Sequence, residues 1–198
     1  MKLNSKLKFT FIFIASIILF WSCVLANRNT ENIDVVKAYY RALNQSDFNK
    51  VKSLILDSMR VTEESFTVAI SKDDYHNWLE WDSVFQPTYK ILEISAGEGR
   101  VSVTVSKECT RTLFLNGEPV VSKESVYVQE GKIWKTEVEA YEVFNFDQWN
   151  EKKEKVVVWV DRNYPELNGF IYDQTKTGAM NYLKVIDLFN EHEEVVTN

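Results

Sequence analysis

The side chains with the clearest chemical potential are acids within predicted β-strands. Glu124 alternates in phase with Val126 and Val128, while Glu108 and Glu137 lie on the strands before and after it. If such a carboxyl group points into a core, burial raises its pKa and makes it a candidate for ligand binding or proton transfer. If it points outward, it pairs with the lysines and arginines of neighbouring strands. The sequence alone favours the outward alternative, because cross-strand charge pairs are ordinary.

Aromatic side chains on two predicted helices are candidates for lining a hydrophobic pocket. One of the adjacent tyrosines 39 and 40 must face inward from the first helix, and Trp78 and Trp81 lie on or beside the third. Such rings more often fill a core, with any hydroxyl group hydrogen-bonded to a neighbour. The candidate pocket residues are therefore Tyr40, Trp78, Trp81, Glu108, Glu124 and Glu137.

One histidine is suited to acid–base chemistry. Histidine is the residue type best suited to proton transfer near neutral pH, and His76 follows Asp74 at the start of the third predicted helix. Asp74 is explained equally well as part of that helix start. Zinc sites normally need several protein ligands, and no second histidine is near in the sequence. We therefore expect neither a metal nor a cofactor.

The N-terminal segment has the pattern of an export signal. Three lysines precede an apolar run over residues 9–21, which ends at Ser22 and Cys23. In one alternative, Ser22-Cys23 resembles a bacterial lipobox and Cys23 carries a lipid. In a second, cleavage after Ala26 releases a soluble protein. In a third, residues 9–26 stay uncut and are only just long enough to cross a bilayer. We favour the lipid anchor, which attaches the protein to a membrane of the bacterial cell envelope, on its periplasmic or outer side.

The net charge of the protein restricts the classes of molecule that it can bind. Removal of residues 1–22 takes away three lysines and no acids, which changes the formal net charge from −6 to −9. An acidic chain of this kind is not expected to bind nucleic acid, because that binding depends on basic patches that face phosphate. The 14% aromatic content, with few glycines and prolines, is typical of a compact fold.

Helices are predicted first. Apolar residues recur at helical spacing over 33–43, and Ser46 or Asp47 caps a second helix. Residues 59–70 have an extended pattern, and Ser71 begins a third helix with a capping-box-like start. Helices are therefore expected to provide one side of the domain.

Strands and two more helices follow. Alternation predicts strands near 89–97, 101–115, 118–129 and 132–143, with Asn116-Gly117 as a hairpin turn. On the last strand Glu137, Glu139 and Tyr141 share one face. Asp147 caps a further helix, and Thr175 or Thr177 begins the last one. Helices followed by an antiparallel meander predict an α+β domain.

Two segments resemble the nuclear transport factor 2-like superfamily, which includes SnoaL-like and ketosteroid-isomerase-like proteins. Residues 35–51, VVKAYYRALNQSDFNKV, are similar to the first helix, the polar break and the second helix of that superfamily. Residues 130–139, EGKIWKTEVE, are similar to its last strand. The resemblance implies a cone, in which a curved antiparallel sheet wraps around N-terminal helices and leaves a pocket at its wide end. It divides the chain into a signal (1–22), a tether (23–31), the domain (32–145) and an extension with two C-terminal helices (146–198).

The resemblance leaves function open, because enzymes and non-enzymes share this fold. The favoured function is a non-catalytic one: binding of a small apolar ligand, or of a partner protein, in the envelope. One alternative is a SnoaL-like or ketosteroid-isomerase-like enzyme with a pocket Asp or Glu as general base. Another is an assembly module that forms a homodimer through its sheet. An inward acid that faces a Tyr or Trp donor would favour the enzyme, and an open apolar pocket without an acid would favour ligand binding.

Overall fold

The computed structural model describes residues 28–64, 66–97 and 99–197. The predicted signal segment and Cys23 lie outside the described residues. Helix α1 covers 28–44, so residues 28–31, which the sequence assigned to the tether, are helical. Within the described ranges, no helix has both the length and the apolar composition needed to cross a membrane.

Local capping sets the next two helices. Helix α2 (Phe48–Leu54) begins after Asp47, whose carboxylate accepts a hydrogen bond from the backbone N–H of Lys50. Helix α3 (Lys72–Ser83) begins after Ser71, whose hydroxyl oxygen accepts from the N–H of Asp74. Both side chains satisfy N–H groups that a first helical turn leaves without partners. The two predicted helix starts are confirmed.

In the part of the chain that the structure describes, six strands form one sheet in the order β2-β1-β6-β5-β4-β3. The strands are β1 (Ile55–Glu63), β2 (Phe66–Ala69), β3 (Thr88–Gly97), β4 (Arg100–Glu108), β5 (Val120–Gln129) and β6 (Lys132–Val143). Strand β1 pairs parallel with β6, whereas the other neighbours are antiparallel. The α+β class and the curved sheet are confirmed, but the fully antiparallel sheet is wrong, because β1 and β6 meet only through the tertiary fold.

The segment after β4 differs from the prediction. Helix α4 (Thr110–Asn116) replaces the end of the predicted strand over 101–115. Its start is a capping box: the N–H of Cys109 donates to Thr112 Oγ1 at 2.8 Å, and the N–H of Thr112 donates to Cys109 Sγ at 3.4 Å. Gly117, with φ of 82°, ends the helix in the left-handed conformation. The Asn116-Gly117 signal therefore marks a helix end and not a hairpin turn.

Strand β6 is bent by three bulges. Its residues Trp134, Glu139 and Glu142 are each skipped in the pairing with β5. Each extra residue bends the strand and shifts its alternation. Tyr141 therefore lies on the concave side with Val138, and the predicted face shared by Glu137, Glu139 and Tyr141 is wrong.

The C-terminal helices complete the fold. Helix α5 (Phe146–Asn163) is capped by Asn145 rather than the predicted Asp147, and a 3₁₀ turn (Pro165–Leu167) follows it. Helix α6 (Lys176–Thr197) begins beside Thr175, whose hydroxyl oxygen accepts from the N–H of Gly178. The start at Thr175, one of the two predicted positions, is confirmed.

Two apolar clusters hold these layers together. The first fills the cone between α1, α2, α3 and the concave sheet and includes Val36, Met59 and Val126. The second joins the end of α3 to α4, α5 and α6 and includes Phe85, Phe114 and Phe189. Trp78 borders both clusters. The C-terminal helices therefore share a core with the end of the cone.

Candidate functional site

A cavity of about 470 Å³ lies between α1, α3 and the concave side of the sheet. Its walls are rich in aromatic side chains: Tyr39, Tyr40, Tyr75, Trp78, Tyr89, Tyr141, Phe144 and Trp149. Phe66 of β2 and Phe146 of α5 also line it but are 72% and 65% exposed, so they lie at its rim. Known small-molecule sites have this size and a similarly apolar lining.

Glu124 of β5 points into the cavity, so the outward alternative that the sequence favoured is wrong for this residue. Its Oε2 accepts a hydrogen bond from the Tyr40 hydroxyl at 2.6 Å, and its Oε1 accepts from the Ser122 hydroxyl at 2.8 Å. Burial raises the pKa of this carboxyl group, and the two hydrogen bonds and the charge of Lys107 only partly oppose that effect. The group therefore holds its proton to higher pH than an exposed glutamate does.

A buried ion pair lies beside the same cavity. Asp82 of α3 is 0% exposed, and its two oxygens lie 2.7 and 2.8 Å from the Nζ of Lys107 at the end of β4. The Tyr89 hydroxyl donates to Asp82 Oδ2 at 3.0 Å. The ammonium group also lies 5.2 Å from the ring centroid of Trp78. The charge of Lys107 is therefore matched within the protein.

The tyrosine hydroxyl groups of the cavity bond to one another or to acids. The hydroxyls of Tyr39 and Tyr75 pair with each other, and that of Tyr141 donates to Glu63. Together with Tyr40 and Tyr89, five cavity tyrosines are satisfied within the protein. Burial raises the pKa of all five, so they stay protonated at neutral pH. A ligand would meet mainly their ring surfaces.

The cation of Arg111 also lines the cavity. Its guanidinium carbon lies 4.9, 5.3 and 5.8 Å from the ring centroids of Trp81, Trp149 and Phe85. Its Nε is buried and has no hydrogen-bond partner in the described part of the chain. Arg111 stands on α4, the helix that the sequence analysis assigned to a strand.

The structure places three of the six candidate pocket residues in the cavity lining and three outside it. Tyr40, Trp78 and Glu124 line the cavity. Trp81 is buried in the second apolar cluster, behind Arg111. Glu137 lies on the outer side of the sheet, 2.7 Å from Lys135, which lowers its pKa. Glu108 is exposed and borders a larger but more open depression of about 580 Å³ between β4, α4 and α6.

The acid–base candidates of α3 lie outside the cavity lining. His76 contacts the ring of Phe48, and its Nε2 lies 3.8 Å from Glu80 Oε1. Asp74 is exposed in the first turn of the helix, where its N–H is capped by Ser71. Across residues 28–64, 66–97 and 99–197, no three His, Cys, Asp or Glu side chains cluster closely enough to hold a metal.

Several cavity residues were missed, and one left a clear signal. Lys107 continues the inward alternation of Val103 and Val105, so the two-residue periodicity of the strand predicts its inward orientation. Asp82 lies seven residues, about two helical turns, after Tyr75, which places both on the inner face of α3. Arg111 left no such signal, because the alternation of residues 101–106 suggested a strand that continued through its position.

Comparisons with known proteins give similarity of fold. No family model and no curated protein matches the chain. A solved structure from Kribbella flavida is 14% identical with a TM-score of 0.51, over 64% of this chain and 96% of that one. Bal32a, from a soil-derived mobile gene cassette, is 12% identical with a TM-score of 0.50, over 63% and 96%. An NTF2-like protein of unknown function from Cytophaga hutchinsonii is 14% identical with a TM-score of 0.47, over 56% and 89%. More than a third of this chain is unmatched in each comparison.

Proposed function

We propose that this chain, which has the nuclear transport factor 2-like fold that its sequence predicted, binds a small, largely apolar molecule in the cavity of its cone. The single observation that supports this function best is the aromatic cavity of about 470 Å³, whose tyrosine hydroxyl groups are already paired. Its walls therefore offer ring surfaces for apolar contact, and the tyrosine hydroxyl groups need no polar ligand.

The outer side of the sheet is a poorer candidate for binding. It carries ion pairs between Arg100 and Glu139 and between Lys123 and Glu142. Interfaces in stable dimers are depleted in charged residues at their centres. Charge on this side therefore favours a ligand inside the cone over the dimer that the sequence analysis kept as an alternative.

Binding is tested with naphthamide, a neutral aromatic probe, on the full chain in phosphatidylcholine nanodiscs. Saturation-transfer NMR, with protein-free nanodiscs as the blank, should detect saturable binding. Val138→Phe fills the cavity from β6 and should abolish it. Val158→Phe is the matched control, because Val158 is exposed on α5 and does not line the cavity. Absence of binding, or equal binding by both variants, would refute the function.

A second candidate function is proton transfer by Glu124. The supporting observation is a buried carboxyl group with a raised pKa that faces Tyr40. An isomerase or cyclase needs a base that reaches substrate, whereas both oxygens of Glu124 accept hydrogen bonds from protein donors. An inward acid that faces a tyrosine is the feature expected to favour the enzyme. Because both oxygens of Glu124 already accept hydrogen bonds from the protein, we rank binding first and catalysis second.

The catalytic alternative has its own experiment. Tetralone, a cyclic ketone, would exchange the protons next to its carbonyl group for deuterium faster with the protein than without it. Glu124→Gln should remove the acceleration while the variant still binds naphthamide. Exchange at the uncatalysed rate with the unmodified chain would exclude Glu124 as a base toward such ketones.

The location of this function in the cell envelope rests on the sequence alone. Cys23 follows a basic start and an apolar run, and we expect it to carry the lipid. Cys23→Ala should abolish incorporation of radiolabelled fatty acid and release the protein from the membrane fraction. Incorporation without change would refute the anchor, and membrane retention without lipid would indicate an uncut segment.

A further inference from the structure

Arg111 is a cation in the cavity wall that none of the described residues neutralises. The described residues give it no ion pair and no hydrogen bond, and its Nε is buried. Its guanidinium group is held instead by the rings of Trp81, Trp149 and Phe85. Cation–π contacts of this kind offset only part of the cost of removing a charge from water.

Apart from Glu64, which is exposed, the other charged groups of the cavity have partners. Lys107 pairs with Asp82, Glu124 accepts from Tyr40 and Ser122, and Glu63 accepts from Tyr141. Lys153 of α5, the third cation of the lining, donates to Asn150 at 3.0 Å. Arg111 therefore differs from these groups, because its donors have no acceptor among the residues that the structure describes.

We infer that Arg111 is a subsite for the carboxylate of an amphiphilic ligand, whose apolar body lies against the aromatic walls. This inference rests on the proposed function and adds the chemical class of the ligand. A guanidinium group presents parallel N–H donors in one plane, and a carboxylate accepts two of them at once. Lys153 lines the same cavity and adds a second positive charge. A monocarboxylate with a ring or chain body meets both the charge and the apolar lining.

The position of Arg111 gives the C-terminal helices a part in this subsite. Trp149 belongs to α5, and Trp81 packs in the cluster that α5 and α6 complete. These rings hold the guanidinium group in place, so the subsite depends on the extension as well as the cone.

The test compares naphthoate with naphthamide, which share one ring system and differ in charge. Both are titrated against the full chain in phosphatidylcholine nanodiscs by saturation-transfer NMR. Arg111→Gln should weaken naphthoate binding by about tenfold or more, the factor expected for loss of a hydrogen bond to a charged group, and leave naphthamide binding within about threefold. Arg162→Gln is the matched control, since Arg162 is exposed on α5 and does not line the cavity.

The outcomes separate this inference from the proposed function. If Arg111→Gln weakens both probes equally, or neither, the carboxylate subsite is refuted while cavity binding stands. If neither probe binds the unmodified chain, the proposed function fails and the subsite with it. If Arg111→Gln does not fold, Arg111→Lys decides, because an ammonium group keeps the charge but loses the paired donors. A selective loss of naphthoate affinity in this variant is expected, and unchanged affinity overturns the inference.

Discussion

The buried ion pair between Asp82 and Lys107 gives the sharpest prediction about stability. Lys107→Met leaves the Asp82 carboxylate, which is 0% exposed, with the Tyr89 hydroxyl as its only partner in the described part of the chain. Removing one member of a buried pair costs about 3–5 kcal/mol, because the remaining charge is uncompensated. Loss of the cation near the rings of Trp78 and Tyr89 adds about 1 kcal/mol. The expected loss is about 5 kcal/mol of the free energy of unfolding.

Removing both charges should restore most of that loss. The double variant Asp82→Asn/Lys107→Met contains no unpaired buried charge, and the amide of Asn still accepts from Tyr89. Urea unfolding with linear extrapolation gives the free energy of each variant, and the double-mutant cycle gives the coupling between the two positions. We expect a coupling energy of about 3 kcal/mol.

A second ion pair with the same separation provides the control. Lys72 and Asp57 are also 2.8 Å apart, but the Asp57 side chain is 94% exposed. Because water screens exposed charges, the cycle with Lys72→Met and Asp57→Asn should give a clearly smaller coupling. Equal coupling in the two cycles, or simple additivity at Asp82 and Lys107, would refute the argument from burial.

Three further predictions concern pH, a helix end and the C-terminal helices. Burial raises the pKa of Glu124 in the folded state, so its contribution to the free energy of unfolding is present at acidic pH and is lost as the pH rises through that raised value. Glu124→Gln does not titrate, so the urea midpoint of this variant should rise relative to that of the unmodified chain as the pH increases through that range. A constant difference between the two midpoints at every pH would contradict this. Gly117 has a φ of 82°, which alanine adopts only with strain, so Gly117→Ala should lower the free energy of unfolding by about 1–2 kcal/mol. Gly117→Asn should lower it by less in the same urea experiment, because asparagine tolerates the left-handed conformation better. Phe189→Ala should lower the free energy of unfolding by about 3–5 kcal/mol, because the ring is 1% exposed. Met180→Ala, at an exposed site of the same helix, should change it by no more than about 0.5 kcal/mol. Similar losses in the two variants would show that α6 does not share the core.

The sequence by itself predicted the features that depend on nearby residues. The caps at Asp47 and Ser71 each need one side chain and an N–H three residues later, so they were visible without a structure. The phase of Glu124 with Val126 was sufficient to predict an inward carboxyl group as one of two alternatives. Helical periodicity placed Tyr40 toward the core for the same local reason.

The tertiary structure decided what depends on residues that are distant in the chain. The parallel pairing of β1 with β6 and the meeting of Asp82 with Lys107 follow from packing, which leaves no periodic trace. The alternation of residues 101–106 suggested a strand that continued to residue 115, but the capping box of Cys109 and the left-handed Gly117 hold residues 110–116 in a helix. That helix brings Arg111 against the rings of Trp81 and Trp149, and bulges in β6 turn Tyr141 inward. The periodicity of a local segment predicts which face of a helix or strand a side chain lies on. The residues that it contacts are determined only by tertiary packing, because they come from distant parts of the chain.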